Sequence, residues 1–432
     1  MKASFRFRGF FMLKDTYRFS RFMYILEAAF EYFISILVAG AYLAKLTSEL
    51  GVSDSVTGIL SSVVSLACGA QVFAIFLFKN GSSKKGVTIL HSINQLCFAF
   101  MYLVPFIDIP RDTKIVVFIL LLLSGHFINN VVQPSKINWF MALVDDSKRG
   151  RFTANKEIVS LLGGMIFSFA MGSLIDRYEA MGRIKESFII CGITILGLTV
   201  LHTATLIMSR EKPATEKEKA PMREILTGLL RDRSYFKVIF VSVLWNVSHY
   251  VSTPFYGTYT VKELGFSMTF ISIISMVYAL VRSAFSRPLG RYADKRSFDK
   301  MLTVCFLVAM VGFAVNIFTV PSNGKVFYMI YYVLYAVGMA GINSGGINLI
   351  YEHVSPEKRV CALALKNTLA GIAGFLTTIV ASRLVAHIQA NGNTFFGMHV
   401  YAQQVTSALS VILVAVTIIY LNTVVIKRHS PR

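Results

Sequence analysis

Apolar runs long enough to cross a bilayer alternate with short polar segments along the whole chain, at about 21–46, 55–78, 87–106, 115–143, 155–175, 186–208, 236–261, 267–288, 299–320, 326–352, 363–387 and 402–426. A helix needs about 20 apolar residues to span the hydrocarbon core, so the pattern predicts an all-α membrane protein of twelve spans, six in each half. The polar positions repeat too. Glu-Leu-Gly-Val-Ser at 49–53 returns as Glu-Leu-Gly-Phe-Ser at 263–267. At this offset of 214, Tyr42, Ile59, Ser61, Val63 and Leu66 also recur, as Tyr256, Ile273, Ser275, Val277 and Leu280. A weaker repeat at offset 210 carries Ile137, Asn138, Lys148, Arg149, Ala154, Lys156, Gly164 and Leu174 to Ile347, Asn348, Lys358, Arg359, Ala364, Lys366, Gly374 and Leu384. Because each copy has an even number of spans, the two halves share one orientation and should be related by a pseudo-two-fold along the membrane normal.

Composition agrees. With 55% hydrophobic and 15% charged residues in 432, and a mean hydropathy of +0.60, the chain has too little polar surface for a water-soluble fold. Positive residues set the expected orientation, since cytoplasmic loops hold the excess of Lys and Arg. With both termini inside, the inner segments and adjoining span ends hold 31 of the 43, and the outer ones 9. The net charge of +20 is then largely topology, with membrane lipid as a partner at the inner face. It is spread over seven segments, which argues against nucleic acid. The organisation expected is an interfacial segment 1–20, a six-helix half 21–208, a central loop 209–235 with a short amphipathic helix at Met222 to Tyr235, a second half 236–426 and a tail 427–432. Five scattered cysteines have no metal or redox spacing. No phosphate loop, metal cluster or nucleophile motif points to an enzyme. A monomer without cofactor, in a bacterial cytoplasmic membrane, is expected.

Between spans 8 and 9 lies Gly290-Arg291-Tyr292-Ala293-Asp294-Lys295-Arg296. It resembles the Gly-x-x-x-Asp-Arg/Lys inner-loop signature of the major facilitator superfamily, a resemblance that the twelve spans and the repeat extend over the whole chain. The matching loop between spans 2 and 3 departs from the signature, with Phe76 and Asn80 where glycine and aspartate would stand. The resemblance implies a secondary transporter whose spans 1, 4, 7 and 10 line a central cavity. It also implies a gating role for Gly290, Arg291, Asp294, Lys295 and Arg296, with Asp294 meeting the amino end of span 5 at Thr153 to Asn155 in the outward-open state.

Ionisable groups within spans are costly and point to function. Glu27 and Glu31 share one face of span 1 with Ser35. Two such acids repel, so one of them, Glu31 before Glu27, is the expected proton carrier. Polar faces recur where the resemblance places the cavity. Span 4 carries His126, Asn129, Asn130 and Gln133; span 7 carries Trp245, Asn246, His249 and Tyr250; span 10 carries Asn343 and Asn348. Either interhelical hydrogen bonds or solute contact explains any one of them. Amides, imidazoles and rings beside two acids suit a small neutral or cationic organic solute. Arg282, Lys136 and Lys366 are expected to reach the inner surface, and His91 and His202 to be structural. Proton symport is the first reading, a proton-driven exporter the second and a non-transporting receptor or scaffold the third.

Overall fold

A computed structural model describes residues 16–73, 84–145, 149–212, 227–229, 231–355 and 358–426. Nine helices among the described residues are long and apolar enough to cross a membrane, or ten when one bent pair counts as a span. That pair is α1 (Arg18–Leu37) and α2 (Gly40–Glu49), which meet at 45° and form span 1. Spans 2 to 6 follow as α3 (Asp54–Ala67), α4 (Lys84–Leu103), α5 (Arg111–Met141), α6 (Arg149–Ala180) and α7 (Ile184–Met208). Spans 7 to 12 are α8 (Arg233–Tyr250), α9 (Met268–Lys295), α10 (Phe298–Ile317), α11 (Gly324–His353), α12 (Arg359–Ala390) and α13 (Ala402–Tyr420). The shorter α3 and α8 complete the twelve. The interfacial segment, the Phe76–Asn80 loop, most of the central-loop helix and the tail lie outside the described residues.

The repeat has a local physical cause. Gly51 and Gly265 adopt left-handed φ of 68° and 62°, which end one helix without the penalty of a Cβ. Two residues later, Ser53 and Ser267 cap the next helix, accepting from the amides of Val56 and Phe270. Each such cap contributes about 0.5–2 kcal/mol. The preceding spans break at matching places. The apolar pattern predicts span 1 as one helix, but it bends at Gly40 (φ 54°). One repeat further on, Pro254 follows the end of α8, and the chain reaches Glu263 through short 3-10 and π turns.

Each half buries its own apolar core, one around Tyr102, Phe118 and Ile195, the other around Phe306, Phe313 and Tyr331. The halves meet at α3 with α12 and at α6 with α9. They also meet at their outer ends. There Asp54 pairs with Lys262 and accepts from Gln389 at 2.9 Å, while a Cβ on Gly257 would stand only 2.7 Å from the Gly40 carbonyl. Asp176 accepts the amides of Met268 and Thr269, both at 2.7 Å, and so caps α9 from the other half. The halves are joined at the end expected to face outward, and the cleft between them runs to the end expected to face inward, at Lys156, Glu157 and Ser286.

Candidate functional site: a tyrosine-lined cavity beside a buried charge cluster

A cavity of about 900 Å³ lies between α1 and α6 on one wall and the broken span 7, α9 and α11 on the other. It runs from Gly40 and Gly257 at its closed outer end to Lys156, Glu157 and Ser286 at the inner ends of α6 and α9. Eight tyrosines line it, and four of them come from one face of α11, at Tyr328, Tyr331, Tyr332 and Tyr335. Spacings of three and four place them together on a helix. Tyr278 of α9 packs on Tyr332 at 5.3 Å, and Tyr335 stacks on His249 and bonds its Nδ1 at 2.8 Å. Sequence reasoning misses this stripe when tyrosine is counted as apolar filling. Its helical spacing on a span expected to line the cavity is the available signal.

Behind the α1 wall lies a second feature. Lys136 of α5 donates to Glu27 at 2.7 Å and to Glu31, and approaches His91 Nε2 at 2.9 Å. His202 Nε2 lies 2.9 Å from the same Glu27 oxygen. Asn94 Oδ1 faces His91 Nδ1 at 3.1 Å and its amide donates to the Gly125 carbonyl at 2.8 Å, which orients the ring. Gln133 donates to Glu31. Two readings change. Lys136, expected at the inner surface, is only 2% exposed and neutralises the two acids instead of leaving them to repel. His91 and His202, expected to be structural, belong to the same cluster. The ground for expecting a cationic solute, two uncompensated acids at the cavity, is thereby removed.

Burial separates the acids. Glu27 is sealed at 0% exposure, whereas the Glu31 side chain is 18% exposed and lines the cavity. Glu31 therefore touches both the cavity and the cluster. Among the described residues, Glu27 Oε2 and His202 Nδ1 are buried without hydrogen-bond partners. The ligand atoms of Glu27, Glu31, His91 and His202 lie within 4.8 Å of one another, a donor set a divalent metal could use. The Lys136 ammonium already bonds within it, so the set fits an internal cation better than a metal.

The other predicted residues are dispersed. Of the ten predicted to bind solute, His249 alone lines this cavity. His126 is buried against Phe98, and Asn130 accepts from Gln71 at 3.2 Å, a bond between spans 4 and 2. Asn129 accepts from Gln133. Trp245 turns into its own half against Phe306 at 5.2 Å, and Asn246 and Asn348 bond back to the carbonyls of Ser242 and Ser344. Tyr250 packs over Gly374, and Asn343 is exposed. Helix rotation turns His126, Asn130, Gln133, Trp245 and Tyr250 to neighbouring helices, whereas Asn129, Asn246 and Asn348 bond within their own. Arg282, expected to snorkel, lines the cavity instead. Gly290, Arg291, Lys295 and Arg296 occupy the last turns of α9 and its end. Asp294 is exposed there, without a hydrogen bond to the turn at Thr153 to Asn155.

The sequence matches the profile of the Major Facilitator Superfamily over residues 23–378. The chain belongs to that superfamily. No curated protein matches it in sequence. Among solved structures, a point mutant of the nucleoside transporter NupG is similar at a TM-score of 0.70 and 13% identity, covering 93% of this chain and 99% of that one. A D-xylose–proton symporter is similar at 0.70 and 14%, covering 93% and 97%. The POT family transporter PepTSo is similar at 0.68 and 10%, covering 94% and 98%. At such identities the likeness is one of fold. This superfamily member is an integral multi-pass membrane protein with the twelve-helix transporter fold.

Proposed function

We propose that the protein moves a small organic solute across the membrane by alternating access and couples that movement to a proton, as a symporter. The observation that carries the reading is the position of Glu31, which lines the cavity and pairs with Lys136 behind it. A carboxylate so placed can exchange its bond to the ammonium for a proton when the cavity opens to one side, and release that proton on the other. The orphaned Glu27 oxygen and His202 nitrogen offer the proton further buried stations. Closure at the outer end with a cleft towards the inner side supplies one of the two states that alternation needs. A nucleoside transporter and a D-xylose–proton symporter, by their names, use the same fold for organic solutes, one of them with a proton. We place both termini in the cytoplasm of a bacterial cell, on the strength of the basic inner segments, and take the protein as a monomer surrounded by lipid.

The test uses proteoliposomes with an imposed pH gradient. Glu31→Gln should abolish gradient-driven accumulation and leave solute counterflow at least partly intact. Undiminished accumulation in that variant would remove Glu31 from the coupling, and accumulation only under the opposite gradient would make the protein an exporter.

A further inference from the structure

Three cations, Lys136, Arg282 and Lys366, fall within the apolar runs, and among the described residues only one of them has carboxylate partners. Lys136 has two carboxylates. Arg282 of α9 has none among the described residues; the groups beside it are the phenols of Tyr278 and Tyr32. Lys366 of α12 is partly buried near Gly346 and Cys68, again with no carboxylate within salt-bridge distance among the described residues. A charge held inside a membrane bundle without a counter-ion is costly unless something that enters the bundle supplies one. Arg282 lines the cavity, beside Tyr278 and across from the tyrosine stripe of α11. The remaining acid at the cavity besides the Lys136-bound Glu31 is Glu157, which is exposed at the inner mouth. At Arg282, one helical turn in from Ser286, the uncompensated charge is therefore positive.

We infer that the solute is a ring-bearing monocarboxylate, with its carboxylate on Arg282 and its ring among the tyrosines. The guanidinium is planar and presents paired donors that match a carboxylate. The hydroxyls of Tyr331 and Tyr332 make no hydrogen bond among the described residues and remain available for a polar substituent, while the rings supply flat apolar area. The other cation of the lining, Lys156, stands at the inner mouth over the Tyr24 ring at 5.1 Å, so one guanidinium faces the tyrosines and suits one negative charge there. The inference rests on the transporter reading above and narrows its solute. Movement of a monocarboxylate together with one proton is electroneutral, so the membrane potential neither drives nor opposes it.

The probes are 4-hydroxybenzoate and indole-3-acetate, each against its neutral amide, 4-hydroxybenzamide and indole-3-acetamide. Binding to the purified full-length protein is followed by thermal shift and calorimetry. At least one acid should bind at least tenfold more tightly than its amide. Arg282→Gln should erase that preference, and Arg282→Lys should keep only part of it. Equal binding of acid and amide to the unaltered protein, or an acid preference that survives in Arg282→Gln, overturns the inference. The wild-type comparison decides even if a variant fails to fold. A parallel uptake assay separates the two failures. If uridine or D-xylose accumulates under the pH gradient and the acids do not, the monocarboxylate is wrong and the symporter stands. If an acid binds with Arg282-dependent preference but accumulates without regard to the gradient, the solute stands and proton coupling falls.

Discussion

The carboxylate of Asp176 accepts the amide of Met268 at 2.7 Å, so an acid of one half caps the first turn of a helix in the other. Asp294 is expected to make the same kind of contact at the opposite membrane face, again between spans 5 and 8. In this arrangement the contact of Asp176 is made and that of Asp294 is not. Two acids at opposite ends of one helix pair would then alternate as latches.

Asp176→Asn should weaken outer closure. An acid at a helix amino end contributes about 0.3–2 kcal/mol, enough to shift a balanced two-state equilibrium several-fold. Spin labels at Met181 and Ser322, on the outer loops of the two halves, should report a longer mean distance. An unchanged distance distribution in a normally folded variant would show that this contact does not hold the gate.

Asp294→Asn should act in the opposite direction. The side chain is exposed here, so its loss should leave the inward-open form intact and destabilise only the other state. Fluorophores at Asn155 and Ser297 should show a larger inward-open fraction. A shift towards the closed inner face would contradict the latch.

Lys136→Gln should be costly for folding. It strands two carboxylates in the bundle, one of them fully buried, and removing one partner of a buried ion pair typically costs about 3–5 kcal/mol. Combining it with Glu27→Gln and Glu31→Gln should recover much of the loss in a detergent unfolding assay. A single variant as stable as the parent would mean that the cluster contributes little to the fold.

Outer closure should respond to pH through Glu263, beyond the end of span 7. Burial, followed by the neighbouring charge of Asp54, holds its carboxyl above the usual carboxylate range, against the opposing effects of Asn393, Lys262 and Gln389. The protonated form is favoured in this arrangement. Its contribution is therefore full below the ordinary carboxylate value and is lost as pH rises through the raised one. Glu263→Gln should flatten the pH dependence of the outer distance across that window. An identical pH profile in the variant would assign the dependence elsewhere.

The fold was legible because its signals are local. Twelve runs, an offset that carries Gly51 to Gly265 and Ser53 to Ser267, and a basic bias can each be read within a few residues of the chain. The site was legible only in part. Glu27 and Glu31 announced themselves on one helix face, but their partner Lys136 is 109 positions beyond the first of them. Nothing in its own neighbourhood says which way it turns, and the same holds for His91, His202 and Arg282. The direction in which a polar side chain faces depends on the rotation of its helix within the bundle, and near-uniform apolar surroundings leave that rotation unmarked.

The Lys136 ammonium has a consequence for energy supply. A cage of two carboxylates and two imidazoles would otherwise attract a free alkali ion, but here the cation is tethered to the protein and cannot be spent. On the proton-coupled reading, the driving ion resides on a side chain as part of it, which sodium does not do. Transport should therefore run undiminished when choline replaces every sodium ion in the medium.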